Sequence, residues 1–294
     1  MDYFLALTVS GLLSGAVYAL VGVAFVVVYR ASAVLNFSLG EWVSLGARTT
    51  AAGMHAGGLP LPGGLGLAIV VMIALAIAFN RLVIRPLIGR PIVAVVMATL
   101  ALGIFMRGGS NLTLSNLPSS IPFPLTDTLW WWGDIPIPPA RVLASGVAIV
   151  LVLAVMALFR FSRIGIAIRA IADDPQAATV MGMSVTRHLA FTWAISAVLC
   201  VAGGVLWSID GLGGFGMGLV LAKVLPVVVI GGLTSFAGAF VGAILVGLAE
   251  TLTAGYVDPW IGTGSGGMIA ASLVILMLWV RPTGLFGAKV VARV

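Results

Sequence analysis

The chain has 294 residues, 61% of them hydrophobic and only 8% charged, and its mean hydropathy is +1.20. A soluble domain carries about 25% charged residues to wet its surface, so this composition excludes a water-soluble globule and makes lipid the solvent. The net charge of +6 does not mark a nucleic-acid binder, because the basic residues sit at the ends of apolar runs rather than on one polar face.

At roughly 20 residues per crossing, the length allows about eight to ten spans. The first apolar run, 4–29, has no Lys or Arg before Arg30. It lacks the basic start and short core of a cleavable signal, and is expected to be a retained helix. Further runs follow at 37–54, 64–80, 92–106, 141–159, 189–208, 221–233, 237–254 and 267–280. The predicted fold is therefore an all-α polytopic transmembrane bundle of about nine spans, forming a single transmembrane domain over 1–294. Runs 92–106 and 221–233 are short for a bilayer, which calls for tilt, thinning or a broken helix. Cys200 lies inside an apolar run and reads as a small buried hydrophobe.

Charge sets the orientation. With the N-terminus outside, the inside segments hold Arg30, then Arg81, Arg85 and Arg90, then Arg160, Arg163, Arg169 and Arg187, and finally Arg281, Lys289 and Arg293. These are eleven of the 15 basic residues, as the positive-inside rule requires. The predicted topology is N-out and C-in.

Two connections are long. Residues 107–139 read as an outside loop ending in Trp130, Trp131 and Trp132. Three indoles suit the headgroup layer as an anchor; stacking on a ligand is the alternative. Residues 161–187 form the inside connection. There Asp174 before Pro175 signals a helix start, the carboxylate capping free N–H groups and the proline having none to waste. Gly182 supplies a stop. The product is a capped helix of about two turns, flanked by arginines such as Arg169. A helix lying on anionic lipid needs a basic face, yet 173–182 holds Asp173 and Asp174 and no base. Docking into another protein suits this piece better.

Ionisable groups at membrane depth each need an account. Glu41, Ser44 and Arg48 share one helical face by their spacing. Ser38 and Glu41 also form a capping box, a structural reading that stands beside a role in a pathway. Arg48 reads as a partner in an interhelical ion pair, or as a group for a substrate carboxylate. Glu250, deep in the eighth run, reads as an interhelix hydrogen-bonding residue or a gate. Lys223, near an outside end, is expected to snorkel to the headgroups. Asn36 reads as a polar residue opening the second helix. The glycines at 203, 204, 211, 213, 214, 216 and 218 suit close packing and a flexible outside connection. His55 and His188 are isolated, so no metal site is suggested. The only lysines, Lys223 and Lys289, are each followed by valine, so the chain has no G-x-x-x-x-G-K-[ST] phosphate cradle.

Several motifs stand in a characteristic order: Gly15 to Leu20 with Tyr18, Asn36 to Glu41, and the loop from Arg169 to Gly182. Lys223, Gly231, Gly232, Gly238, Gly242 and Gly247 to Glu250 follow, and then Arg281 to Gly287. In this order the chain resembles the permease subunits of branched-chain amino acid ABC importers. The resemblance implies a multi-pass protein of the cell inner membrane that is not itself an enzyme. It implies a second, often non-identical permease, two ABC ATPase subunits that carry ATP and Mg, and an extracytoplasmic solute-binding protein. It assigns Arg169, Asp173, Asp174, Pro175 and Gly182 to the segment the ATPases grip. It leaves Asn36, Glu41, Ser44, Arg48, Lys223 and Glu250 as pathway or gating candidates. No cofactor is implied in this chain. Family members usually carry His where Leu39 stands and an aromatic where Arg48 stands, so urea, an amide, an organic acid or a sugar stay open as solutes. A self-contained secondary transporter is the rival mechanism, and a membrane enzyme finds no supporting constellation.

Overall fold

The computed structural model describes residues 1–87, 89–118, 120–123, 129–133, 135–209 and 220–287. The chain runs α1 (Asp2–Ser32), α2 (Leu39–His55), α3 (Leu61–Phe79), a π-helical turn (Asn80–Ile84), α4 (Arg85–Leu87) and α5 (Ile92–Leu114). A small hairpin follows, β1 (Trp130–Trp132) and β2 (Ile135–Ile137), then α6 (Pro139–Phe161), α7 (Arg163–Asp173), α8 (Pro175–Val180) and α9 (Val185–Trp207). The last elements are α10 (Val220–Gly231), α11 (Phe236–Tyr256), α12 (Asp258–Ile261) and α13 (Ser265–Val280). Each of the nine apolar runs falls mainly on a helix, although 37–54 begins in the turn before α2 and 221–233 extends past the end of α10. Six helical stretches (α1, α3 through α4, α5, α6, α9 and α11) are long and apolar enough to cross a membrane, and α10 and α13 are shorter apolar helices. The protein is an all-helical, multi-pass membrane protein apart from the hairpin.

Two expectations are corrected. The run 92–106 is not short: α5 continues through Arg107, Gly108 and Gly109 to Leu114, for 23 residues. Helix propagation tolerates the two glycines at a cost of about 1 kcal/mol each, whereas the apolar count stops at the first charge. The outside loop accordingly begins after Leu114. Within it the tryptophans stand on a strand, Trp130 opposite Ile137 and Trp131 opposite Pro136. The outward glycines 211, 213, 214, 216 and 218 lie outside the described residues, while Gly203 and Gly204 are buried on α9.

The chain forms two compact units. One comprises Met1–Val26, Leu125–Val152 and Ala222–Val294, the other Val27–Pro124 and Leu153–Leu221. Lipid tails are as apolar as leucine, so helix association relies on close packing rather than on hydrophobic burial. In the first unit a β-carbon at Gly247 of α11 would lie 2.6 Å from the Gly11 carbonyl oxygen of α1, so only glycine permits this approach. The Arg281–Gly287 segment folds back onto the end of α10. Leu285 N donates to Ile230 O at 2.8 Å and Phe286 N to Gly231 O at 3.0 Å, satisfying carbonyls that a helix end leaves open. Gly232 (φ +104°) and Gly284 (φ +77°) provide the left-handed backbone this return needs.

In the second unit α2, α3 and α9 pack together and α5 lies against α2. Trp193 is buried there, its ring 6.2 Å from Trp42 and 5.2 Å from Phe79. A β-carbon at Gly46 would come within 2.8 Å of the Val201 Cα, which sets the close α2–α9 crossing.

Candidate functional site

The α7–α8 segment is built from local hydrogen bonds. The Ser162 hydroxyl accepts from Gly165 N at 3.0 Å and starts α7. Asp174 ends α7 and begins α8: its Oδ1 accepts from Gln176 N at 2.9 Å and Ala177 N at 3.0 Å, with Pro175 at the first helical position. Gly182 closes α8 at φ +83°. Gly182 N donates to Thr179 O at 2.9 Å and Met183 N to Ala178 O at 3.0 Å, the paired bonds of a Schellman stop. The helix that sequence chemistry places here is thus present with both caps. The preceding helix α7 escaped notice, although Ile164, Ile168 and Ile171 recur at helical spacing; Ile168 and Ile171 are buried. Arg169 Nη1 donates to the Phe159 carbonyl near the end of α6, and Asp173 is exposed.

What this scaffold presents is apolar. Val180 is 87% exposed and Met181 80% exposed, side by side at the tip of a helix fixed at both ends. Short α8 contacts α7 and α9. The pair forms an exposed apolar tip on a helix that is fixed at both ends.

A second set of polar groups lies between α2 and α5. Asn36 Oδ1 accepts from Ser38 N at 3.1 Å and Ser38 Oγ at 2.6 Å, which shapes the start of α2. Ser38 Oγ also accepts from Trp42 Nε1 at 3.0 Å. The Ser38 side chain makes no cap bond to the helix, so the expected capping box is absent: the hydroxyl is committed to Asn36 and Trp42. Glu41 instead accepts from Arg107 Nε at 2.9 Å and from its Nη2. Arg48, two turns further along, donates to Ser110 Oγ at 3.0 Å and Asn111 Oδ1 at 2.8 Å. The expected ion pair of Arg48 is thereby replaced by bonds to neutral groups, and the α2–α5 ion pair belongs to Glu41. Ser44 is buried on α2. Sequence reasoning missed Arg107 by ending the helix before it.

The third set joins α1, α10 and α11 within the first unit. Lys223 Nζ lies 2.9 Å from Glu250 Oε2 and donates to Tyr18 Oη at 3.1 Å, while Tyr18 Oη donates to Glu250 Oε2 at 3.0 Å. Lys223 therefore does not snorkel away; a carboxylate at depth is the stronger partner. Glu250 is the interhelix hydrogen-bonding residue its position suggested. Its side chain is 9% exposed, and its Oε1 has no hydrogen-bond partner among the described residues. His55 and His188 bond to the carbonyls of Ser120 and Ser184, and no metal-holding cluster occurs among the described residues.

Residues 7–281 match the family model described as branched-chain amino acid transport system / permease component. The chain belongs to this permease family. It is 29% identical over 310 residues to the high-affinity branched-chain amino acid transport system permease protein LivH of Escherichia coli (strain K12), covering 99% of this chain and 98% of that protein. Over 306 residues it is 27% identical to the permease protein BraD of Pseudomonas aeruginosa, with the same coverage. Among solved structures, this permease resembles a chain of PsaBC from Streptococcus pneumoniae in complex with Fab. The TM-score is 0.50 at 16% identity, over 93% of this chain and 91% of that one, a likeness of fold alone.

Proposed function

We propose that the chain, as one permease domain, is the membrane subunit of an ATP-driven importer for branched-chain amino acids or a related small solute in a cell inner membrane. The observation that carries the reading is α8, a doubly capped helix with an exposed Val180–Met181 tip. It has the form of a docking knob in a chain whose sequence holds no phosphate cradle of its own. With the N-terminus outside and nine crossings, counting α2, α10 and α13, this knob faces the cytoplasm, where two ABC ATPase subunits bind ATP and Mg. A second permease subunit completes the pathway, and an extracytoplasmic binding protein delivers the solute.

The geometry suggests how force would travel. When the ATPase pair closes, α8 moves as a rigid piece, because Asp174 and Gly182 leave it no frayed end. Its contacts with α7 and α9, and the Arg169 bond to Phe159, carry the displacement into the second unit as rigid-body rocking. In the first unit the Tyr18–Glu250–Lys223 cluster holds three helices at one point. Lys223 and Glu250 act there as a gate, opening as those helices separate.

A second reading concerns the solute. Among the described residues Arg48 bonds only neutral groups, which favours an anionic solute such as an organic acid if this face lines the pathway. Reconstitution into proteoliposomes separates these readings. Leucine accumulation is expected only with ATP, the ATPases and the binding protein all present. Accumulation by the chain alone would overturn the importer reading, and exclusive transport of an organic acid would establish the second solute.

A further inference from the structure

Two concavities of the second unit lie end to end along α5. The first has a volume of about 340 Å³ and is lined by Arg30, Ala33, Leu87, Arg90, Ile92 and Leu189, among others. The second, about 390 Å³, is a groove lined only by apolar groups, including Leu75, Leu82, Ala98, Ala101 and Phe105. From Ile92 to Phe105 the helix rises about 20 Å, of which the apolar groove from Ala98 to Phe105 takes about 10 Å. Cavity and groove together therefore match a headgroup followed by the upper part of an acyl chain within the roughly 15 Å of hydrocarbon in one leaflet.

That end is built for an anion. Arg30 and Arg90 both line it, and Arg169 and Asp173 lie within electrostatic reach of Arg30, so positive charges outnumber negative ones. The N-termini of α5 and α9 also open there through Ile92 and Val185. Neither has a side-chain cap or an acid in its first turn, which leaves their positive dipole ends available. Ala33 on the cavity wall holds a left-handed φ of +52°, an uncommon strain for alanine that clusters at ligand sites. The π-helical turn lines both concavities, with Leu82 and Val83 in the groove and Ile84 in the cavity. Its Asn80 is 4% exposed, and its Nδ2 has no hydrogen-bond partner among the described residues.

We propose that this face holds one acidic phospholipid of the cytoplasmic leaflet, its phosphate between Arg30, Arg90 and the start of α5 and an acyl chain in the α3–α5 groove. A protein segment is a poorer occupant, because its peptide groups would find no hydrogen-bond partners in a groove lined only by apolar side chains. The inference rests on the cytoplasmic orientation proposed above. Lipid retention is measured without transport, so its failure is distinguishable from failure of the importer reading.

Native mass spectrometry of the purified full chain, offered phosphatidylglycerol or phosphatidylcholine with identical acyl chains, tests it. Retention of one phosphatidylglycerol per chain is expected, about tenfold preferred over phosphatidylcholine. Arg90→Gln is expected to lower that preference about fivefold, and Arg90→Lys to preserve it. Ala101→Trp, which fills the groove, is expected to abolish retention of either lipid while the protein stays monodisperse. Equal retention of the two lipids would overturn the proposal. So would phosphatidylglycerol retention that survives Ala101→Trp, or cross-linking of Ala101→Cys to another polypeptide in the membrane.

Discussion

Two interhelical ion pairs among the described residues are made of similar groups and differ in their surroundings. Lys223 and Glu250 are 32% and 9% exposed, and Tyr18 shares the carboxylate oxygen. Arg107 pairs with Glu41, 12% exposed, but is itself 61% exposed. A mostly hidden pair leaves an uncompensated charge when one partner is removed, whereas shortening an open arginine also uncovers the carboxylate it covers, so that water or headgroups take its place. The contrast assigns the first pair to holding helices together and the second to fine adjustment.

The largest effect is expected from Lys223→Met, which strands Glu250 at a cost of about 3 kcal/mol. Unfolding in a denaturing detergent should reveal it, and the double change Lys223→Met with Glu250→Gln should recover most of the loss. A single change without consequence would break the comparison. Next comes the α8 cap. Asp174→Ala removes both bonds to Gln176 and Ala177, a loss of about 1 kcal/mol, confined to the loop. Asp174→Lys also places the wrong charge at the helix start. Both variants should reach the membrane normally while ATP-driven uptake falls severalfold, and full uptake at normal expression would refute a coupling role. Arg107→Gln should cost no more than about 1 kcal/mol; a cost equal to that of Lys223→Met would erase the distinction between the pairs.

The smallest effect belongs to Asp258, in the turn between α11 and α13. The Ser265 hydroxyl and the Ser265 N–H, the latter at 3.0 Å, donate to its carboxylate and hold its pKa below the usual range. A depressed folded pKa contributes stability above the unfolded value, and that contribution is lost as pH falls through the folded one. Ser265→Ala should therefore raise the Asp258 pKa towards its ordinary value and shift acid destabilisation slightly upward in pH, readable in a thermal-shift series.

The parts legible in the sequence were those encoded over a few neighbouring residues. Apolar runs located the six stretches long enough to cross a membrane and the shorter α2, α10 and α13, because lipid enforces composition along each segment. The α8 caps were legible because Asp174, Pro175 and Gly182 act within one turn of the backbone they satisfy. Partner choice was not legible. Glu41 and Arg107 are 66 positions apart and Tyr18 and Glu250 are 232 apart, and spacing carries no information on how two helices are rotated against each other. Lys223 was misread for this reason: its nearness to a helix end suggested headgroups, while the carboxylate it meets comes from another helix. The hairpin at Trp130–Ile137 had a local signal that was not used: Gly133, at φ +64°, lies in the turn between the paired Trp132 and Ile135.

The most direct test replaces the sole cysteine, Cys200→Ser, and introduces Val180→Cys at the α8 tip. In inside-out vesicles containing the assembled importer, a short bifunctional reagent should join this position to an ATPase subunit, and an impermeant maleimide should label it only from the cytoplasmic side. Labelling from the opposite side, or no cross-link in a complex that still transports, would contradict the docking role on which the proposed mechanism rests.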